Sequence, residues 1–233
     1  MTPTMKAIRV PIGNQWLDGD LGIPTKPQGL VLFAHGSGSS RHSPRNQYVA
    51  AVLQQRRLAT LLIDLLTSDE EAIDNRTRHL RFDIEMLADR LVAIIDWLRN
   101  QRDTSALPIG LFGASTGGGA ALMAAAARPR EVAAVVSRGG RPDLAGPALP
   151  RVRTPTLLIV GGHDTPVIDM NREAMAQMSG EVVLEIVPGA THLFEEPGTL
   201  ERVAELAAEW FGRWLGPVRA SASEKNVHAP EGR

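Results

Sequence analysis

The chain has 233 residues, of which 43% are hydrophobic and 22% charged, the balance of a globular protein rather than a disordered one. A formal net charge of -1 gives no field that favours nucleic acid or an anionic membrane. The absence of cysteine excludes disulfides, thiolate metal sites and a cysteine nucleophile. No apolar run approaches the ~18 residues of a membrane span, and the N-terminal residues lack the apolar core of a secretory signal. We therefore expect a cytoplasmic protein without nucleic-acid or membrane partners.

Apolar runs and helical patterns alternate along the chain. Strands are predicted at 6–10, 16–23, 30–34, 60–64, 109–112, 132–137, 156–160 and 182–187. The first two are joined around Gly13-Asn14 and should be antiparallel, and the last three should be buried. Helices are predicted at 46–57, 82–99, 116–128, 165–178 and 200–214. This alternation is typical of an α/β fold with a mostly parallel sheet covered on both faces.

Two further stretches complete the organisation. Residues 66–81 are charged and irregular, which predicts a loop, and the acidic run at 69–74 within it is interpreted as solvated rather than as a calcium site. Residues 217–233 are polar and lack periodicity, which predicts a disordered tail. One domain is therefore expected over residues 1–216.

The sequence GASTG at residues 113–117 lies where a buried strand gives way to a helix. Glycines and serines also end strands without any catalytic role, so the pattern alone is weak. A serine at a sharp strand-to-helix turn, however, needs small residues two positions away on either side, because larger side chains would collide with the neighbouring strand and helix. Gly113 and Gly117 meet that need, which favours Ser115 as a nucleophile.

A serine hydroxyl needs a base, and the base needs an acid that orients it. In a nucleophile-elbow protein these follow in the order serine, acid, histidine, each after its own strand. Asp164 follows the strand at 156–160, and His192 follows the strand at 182–187. Asp169 is a rival acid inside the next helix, and a structural histidine is the alternative interpretation of His192.

The negative charge that develops on a substrate carbonyl oxygen is usually stabilised by two backbone N–H groups. Thr116, directly after the candidate nucleophile, should supply one. The loop HGSGSS at residues 35–40 should supply the other through Ser37. A flexible turn or a phosphate cradle are the alternatives for this loop, but it lacks the lysine of a P-loop.

The motifs HGSGSS, GASTGG, GGHD and PGATH, in this order over residues 28–215, resemble the α/β-hydrolase superfamily and, more narrowly, its dienelactone-hydrolase-like branch. The resemblance implies an eight-stranded sheet, a triad of Ser115, Asp164 and His192, and hydrolysis of an ester or related acyl bond without metal or organic cofactor. Dienelactone hydrolases proper use a cysteine nucleophile, whereas this chain has serine. That departure favours a general carboxylesterase.

The substrate is expected to be a small soluble ester, because the short connection at 138–153 leaves no room for a lid domain. Three loop arginines, Arg41, Arg138 and Arg141, are candidates to bind a substrate carboxylate, although loop arginines are more often solvated or structural. Arg45, like Arg41, follows the loop at residues 35–40 and is a further candidate. The sequence does not predict the oligomeric state.

Two other functions remain open at this stage. An acyltransferase or perhydrolase would use the same triad and pass the acyl group to an alcohol or peroxide. A non-catalytic binding protein would use the same scaffold without its chemistry. An incomplete triad would favour that hypothesis, whereas all three residue types are present in this sequence.

Overall fold

The computed structural model describes residues 3–216, so the predicted tail at 217–233 lies outside the described residues. The strands are β1 Thr4–Ile12, β2 Gln15–Ile23, β3 Gly29–Ala34, β4 Leu58–Ile63, β5 Ile109–Ala114, β6 Val132–Arg138, β7 Thr156–Gly161 and β8 Val182–Val187. The α-helices are α1 Pro44–Gln55, α2 Ser68–Thr77, α3 Ile84–Arg99, α4 Thr116–Ala127, α5 Thr165–Met175 and α6 Thr199–Leu215. Short 3-10 helices span Leu80–Phe82 and Pro142–Arg151.

The strands form one eight-stranded sheet in the order β1-β2-β4-β3-β5-β6-β7-β8. The β1–β2 and β2–β4 pairs are antiparallel, and the other pairs are parallel. This arrangement confirms the predicted α/β fold and its antiparallel start. Because β3 and β5 to β8 run in the same direction, their carboxyl ends meet at one edge of the sheet, where ligands bind in open α/β folds.

Two apolar clusters cover the two faces of the sheet. On one face α3, α4 and α5 contribute side chains such as Leu91, Leu122 and Ala174, and on the other α1 and α6 contribute Leu53 and Phe211. Strands β3, β5 and β7 are buried at every position, which explains their unbroken apolar runs. Over the described part of the chain, no helix is both long and apolar enough to cross a membrane.

The prediction of a loop at 66–81 is wrong, because this stretch forms α2 and a 3-10 helix. Thr67 caps α2: its hydroxyl accepts from the Glu70 N–H at 3.3 Å, and the Glu70 carboxylate accepts from the Thr67 N–H at 2.8 Å. The buried residue of α2 is a charged one, Asp74, so the helix has no apolar stripe that periodicity could detect. The prediction that the acidic run at 69–74 is solvated is therefore wrong at Asp74, which is buried.

The prediction of a buried strand at 182–187 is only partly right. The strand exists with these bounds, but it lies at the edge of the sheet beside β7. Its residues are half-buried or exposed apart from Val187. An edge strand has one neighbour instead of two, so apolar composition alone overestimates its burial.

Candidate active site

Ser115 occupies the tight turn between β5 and α4. Its backbone has φ 50° and ψ −122°, in a region that non-glycine residues rarely adopt. The turn is held by hydrogen bonds: the Ser115 N–H donates to the Arg138 carbonyl at 3.2 Å, and the Ser115 carbonyl accepts from the N–H groups of Gly118 at 2.9 Å and Arg141 at 3.0 Å. The serine is therefore a strained residue that its surroundings keep in place.

The glycines around Ser115 are required by close contacts. A Cβ on Gly113 would lie 2.5 Å from the Gly117 carbonyl oxygen, and a Cβ on Gly117 would lie 2.2 Å from the Ala34 carbonyl oxygen at the end of β3. Both distances are far shorter than real contacts, which confirms the steric argument made from sequence. A Cβ on Gly36 would lie 3.1 Å from the Ser115 Cβ, so the 35–40 loop passes directly beside the serine.

Asp164 and His192 form a short hydrogen bond, with His192 Nδ1 2.6 Å from Asp164 Oδ2. The Asp164 side chain is 14% exposed and that of His192 is 38% exposed, so the carboxylate is shielded while the imidazole stays accessible. The rival Asp169 lies on α5, is 71% exposed and pairs with Arg172. Of the two candidate acids, Asp164 is the one that contacts the histidine.

The His192 loop is positioned by backbone contacts with its neighbours. The His163 N–H donates to the Ala190 carbonyl at 2.9 Å, which ties the acid loop to the histidine loop. A Cβ on Gly139, directly after β6, would lie 3.6 Å from His192 Cε1. The carbonyl of the preceding residue, Arg138, accepts a hydrogen bond from the Ser115 N–H. The serine turn and the imidazole therefore both border the end of β6.

Glu196 anchors the histidine loop, a role that sequence reasoning missed. Its carboxylate accepts from the Thr191 hydroxyl at 2.6 Å and from the Thr191 N–H at 3.1 Å. The hydroxyl first and the amide second lower the pKa of the Glu196 carboxyl below its ordinary value. No sequence signal would have identified it, because a threonine and a glutamate five residues apart are common in loops.

Ser37 N–H, the predicted second oxyanion donor, donates to the Thr116 hydroxyl at 2.9 Å. The Thr116 side chain thus holds the backbone of the 35–40 loop beside Ser115. A substrate oxyanion would have to share or replace this hydrogen bond at Ser37.

His35 fixes the start of the same loop. Its Nε2 accepts from the Leu65 N–H at 3.0 Å, so the proton lies on Nδ1, 3.0 Å from the Gly36 carbonyl. Burial lowers the pKa of His35, although the Gly36 carbonyl and the charges of Asp64 and Glu71 oppose this. The imidazole is therefore a neutral structural link between β3, the loop and the end of β4.

A cavity of about 110 Å³ adjoins the 35–40 loop. Its walls include Ser37, Ser40, Asp64, Leu66 and Arg81. Ser115 and His192 do not line it.

The three candidate arginines differ in their partners. Arg41 pairs with Asp64 and lies 3.4 Å from Asp20. Arg141 makes a bidentate pair with Asp143 at 2.8 and 2.7 Å.

Arg138, the last residue of β6, has no such pair. Arg138 is 7% exposed, and its Nε and Nη1 atoms are buried with no hydrogen-bond partner among the described residues. Of the three, it is the guanidinium that no carboxylate of residues 3–216 pairs with.

Comparison with solved structures agrees with this fold. A dienelactone hydrolase from Anabaena variabilis is 63% identical, with a TM-score of 0.90 over 92% of this chain and 99% of that one. The esterase Est1E from Butyrivibrio proteoclasticus shares the fold at 16% identity, with a TM-score of 0.75 over 90% of this chain and 98% of that one.

Curated relatives from two strains of Mycobacterium tuberculosis are 59% identical over 204 residues, which is 88% of this chain. Their provisional name is phosphoribosyl transferase. The chain spans only 45% of their length, so it corresponds to about half of each relative.

The profile of the dienelactone hydrolase family matches residues 54–217, a range that includes the Ser115 turn and the Asp164–His192 pair. The match covers well over half of the chain. The protein belongs to the dienelactone hydrolase family and has the α/β-hydrolase fold.

Proposed function

We propose that the protein is a serine esterase that cleaves a carboxylic ester of a small substrate through an acyl-enzyme. The observation that carries this proposal is the 2.6 Å hydrogen bond between Asp164 and His192, at the same edge of the sheet where Ser115 occupies a strained strand-to-helix turn. Nucleophile, base and orienting acid thereby come from three loops at one edge of the sheet, the arrangement that acyl transfer requires.

In the first half-reaction, Ser115 Oγ attacks the ester carbonyl carbon while His192 Nε2 takes the hydroxyl proton. Asp164 accepts a hydrogen bond from Nδ1–H and stabilises the imidazolium that forms. The carbonyl π electrons move to oxygen, where the N–H groups of Thr116 and Ser37 stabilise the charge. The tetrahedral intermediate then expels the alkoxide, which receives the proton from His192.

The second half-reaction repeats these roles with water. His192 removes a proton from the water molecule as its oxygen attacks the acyl carbon. Collapse of the intermediate breaks the bond to Ser115 Oγ, which takes back the proton, and the carboxylic acid leaves. Thr116 contributes its N–H to the oxyanion and its hydroxyl to the position of Ser37.

The connection after β6 supports a small substrate. It contains only the 3-10 helix Pro142–Arg151 rather than a lid domain. It therefore provides no large apolar cover of the kind that a long acyl chain needs.

The transferase name of the mycobacterial relatives belongs to proteins about twice as long as this chain. The segment they share with it is the one that carries the hydrolase fold and the Ser115 turn. A phosphoribosyl transfer reaction therefore has no support from the residues described here, and we do not propose it for this chain.

The test is hydrolysis of p-nitrophenyl acetate and butyrate, together with labelling by a fluorophosphonate, which reacts with an activated serine. Ser115→Ala should lower turnover by about 10⁴–10⁶ and abolish labelling, because removal of a triad nucleophile has effects of this size. Ser105→Ala, in an exposed turn, is the matched control and should behave as wild type. Equal activity and labelling in wild type and Ser115→Ala would overturn the proposal.

The acceptor of the acyl group is tested with the same substrates. Product analysis in the presence of methanol or hydrogen peroxide separates hydrolysis from transfer. The esterase proposal expects free acid as the main product, whereas methyl ester or peracid as the main product would favour the alternative.

A further inference from the structure

The cavity of about 110 Å³ between the 35–40 loop and α2 has no part in the chemistry proposed above. The loop forms one wall, and residues of α2 and of the 3-10 helix after it form the opposite wall. Besides the loop, the lining consists of Asp64, Leu66, Glu71, Asp74, Asn75, Arg81 and Leu87. A single water molecule needs about 10–15 Å³ of such space. This space, which we name the α2 cavity, therefore has room for a molecule larger than water.

The charges in the walls of the α2 cavity are largely neutralised within the protein. Asp74 pairs with Arg81, and Asp64 pairs with Arg41. Glu71 is exposed and forms no salt bridge with another described residue. An anionic ligand would meet three carboxylates, and a cationic ligand would have to compete with two arginines. The walls therefore favour an uncharged ligand.

Hydrogen-bonding groups in the same walls remain free. The hydroxyls of Ser37 and Ser39 and the Nη1 atom of Arg81 make no hydrogen bond within residues 3–216. A ligand that satisfies them must donate and accept at several points, which adjacent hydroxyl groups do. Leu66 and Leu87 provide apolar surface for the C–H groups of such a ligand. This combination matches a small molecule with several hydroxyls on a short carbon chain.

The α2 cavity shares the 35–40 loop with the proposed catalytic site. Ser37, whose N–H is the proposed oxyanion donor, lines the cavity. Gly36 also lines it, and a Cβ on Gly36 would lie 3.1 Å from the Ser115 Cβ. Ser115 itself is not part of the lining. A molecule in the cavity would therefore contact the loop that carries the oxyanion donor without blocking the serine.

We propose that the α2 cavity binds a small uncharged polyol through the free hydroxyls of the 35–40 loop and the Arg81 guanidinium. Two sources share this chemistry: a free polyol such as glycerol, and the polyol part of an ester whose acyl group lies at Ser115. The first would make the cavity a regulatory site, and the second would make it a specificity site. Binding is independent of the esterase function proposed above, whereas either effect on catalysis rests on it.

Binding is tested first without catalysis, by NMR titration of the backbone amides of residues 36–40. We expect glycerol to cause saturable shifts in wild type, and 1-propanol, which has the same number of carbons and one hydroxyl, to cause none. Ser39→Leu, which fills the cavity, should abolish the saturable shifts, whereas Ser105→Leu, in an exposed turn outside the lining, should retain them. Ser39→Ala removes only one hydroxyl and should weaken binding by about 5-fold, the effect of one hydrogen bond.

Several results of this titration would overturn the site. Shifts that rise linearly with glycerol, or that persist in Ser39→Leu, indicate a solvent effect and a cavity filled by water alone. A lower midpoint for 2-aminoethanol, which is a cation at neutral pH, than for glycerol would overturn the uncharged ligand. Ser39→Ala keeps the test valid if Ser39→Leu does not fold, because an unchanged midpoint in Ser39→Ala would also contradict the proposal.

Kinetics distinguish the two sources of the polyol. Monobutyrin and propyl butyrate differ by two hydroxyls. A specificity site predicts a higher kcat/KM for monobutyrin, and Ser39→Leu should reduce this preference by about 10-fold, whereas Ser105→Leu should preserve it. A regulatory site predicts instead that glycerol changes kcat for p-nitrophenyl butyrate with the midpoint found by NMR, and that Ser39→Leu abolishes this change.

The same measurements separate the cavity from the esterase. Saturable glycerol shifts in a protein that hydrolyses none of these esters would overturn the esterase and keep the binding site. Hydrolysis that depends on Ser115, without saturable shifts, would do the reverse. Saturable shifts together with hydrolysis that responds to neither glycerol nor Ser39→Leu would overturn the link between the cavity and catalysis.

Discussion

Two regions of the molecule treat buried charge in opposite ways. In the α2 segment, Asp74 is 1% exposed, pairs with the guanidinium of Arg81 and accepts from the N–H groups of Leu80 at 2.8 Å and Arg81 at 3.1 Å. At the end of β6, Arg138 is almost as buried, and the Nε and Nη1 atoms of its guanidinium have no hydrogen-bond partner among the described residues. The first region uses its charges to hold a segment together, and the second leaves a charge free beside a strained serine.

This difference gives a criterion that distinguishes structural charges from functional charges in this fold. A neutralised charge stabilises the folded state without any ligand, so its removal should lower stability. A free charge and a strained turn lower stability, so they indicate a site whose function maintains them. Substitutions in the two regions should therefore affect different measurements.

The largest expected effect is on turnover, when the proposed catalytic residue Asp164 is changed. Asp164→Asn should lower kcat for p-nitrophenyl butyrate by up to about 10⁴, because an amide cannot stabilise the imidazolium and favours the wrong tautomer of His192. The midpoint of urea unfolding should change little. Asp169→Asn, on the exposed side of α5, is the control, and a loss of activity in both variants would show that charge near α5 matters rather than the contact with His192.

The next largest effect is on the stability of the α2 segment. Asp74→Ala should lower the free energy of unfolding by about 3–5 kcal/mol, because it leaves Arg81 and two backbone N–H groups without their acceptor. Asp69→Ala, in the exposed first turn of the same helix, should cost less than about 1 kcal/mol. Urea denaturation measures both, and similar losses would contradict a special role for Asp74.

Acidification should remove part of the same stabilisation. Burial opposes the charge of Asp74, but hydrogen bonds from Arg81 and Leu80 hold the pKa of its carboxyl below the ordinary value, and Arg90 does the same for Glu70. Since the folded pKa is depressed, this stability is present above the unfolded pKa of about 4 and is lost as the pH falls towards the folded pKa. The urea midpoint of wild type should therefore fall more between about pH 5 and pH 3 than that of Asp74→Asn, whereas parallel curves would exclude Asp74 as a source.

The smallest expected effect separates the two roles of Thr116. Thr116→Val keeps the shape and the backbone N–H but removes the acceptor of the Ser37 N–H, which should lower the unfolding free energy by about 1 kcal/mol. Turnover should fall by less than the about 10²–10³ that follows loss of an oxyanion donor. Thr116→Ser keeps a hydroxyl and should restore both quantities, and failure of that rescue would mean that Thr116 acts through packing alone.

Most of the fold could be predicted from the sequence because burial leaves a pattern in the residues themselves. The central strands are covered on both faces and therefore read as unbroken apolar runs, and α3 buries one stripe of side chains at spacings of three and four. The order of Ser115, Asp164 and His192 was also readable, since each follows its own strand. Helix α2 escaped detection because a cap and ion pairs, rather than apolar packing, hold it in place.

Only the tertiary structure decided which charges are neutralised. Arg41, Arg138 and Arg141 look alike in the sequence, yet Asp64 pairs with the first and Asp143 with the third, while β6 places Arg138 between α1 and the histidine loop. The same holds for Glu196 and His35, whose hydrogen bonds position the two loops on either side of Ser115. Apolar burial is set locally by the period of a helix or strand, whereas the pairing of Arg41 with Asp64 and the unpartnered atoms of Arg138 depend on which strands and loops lie side by side.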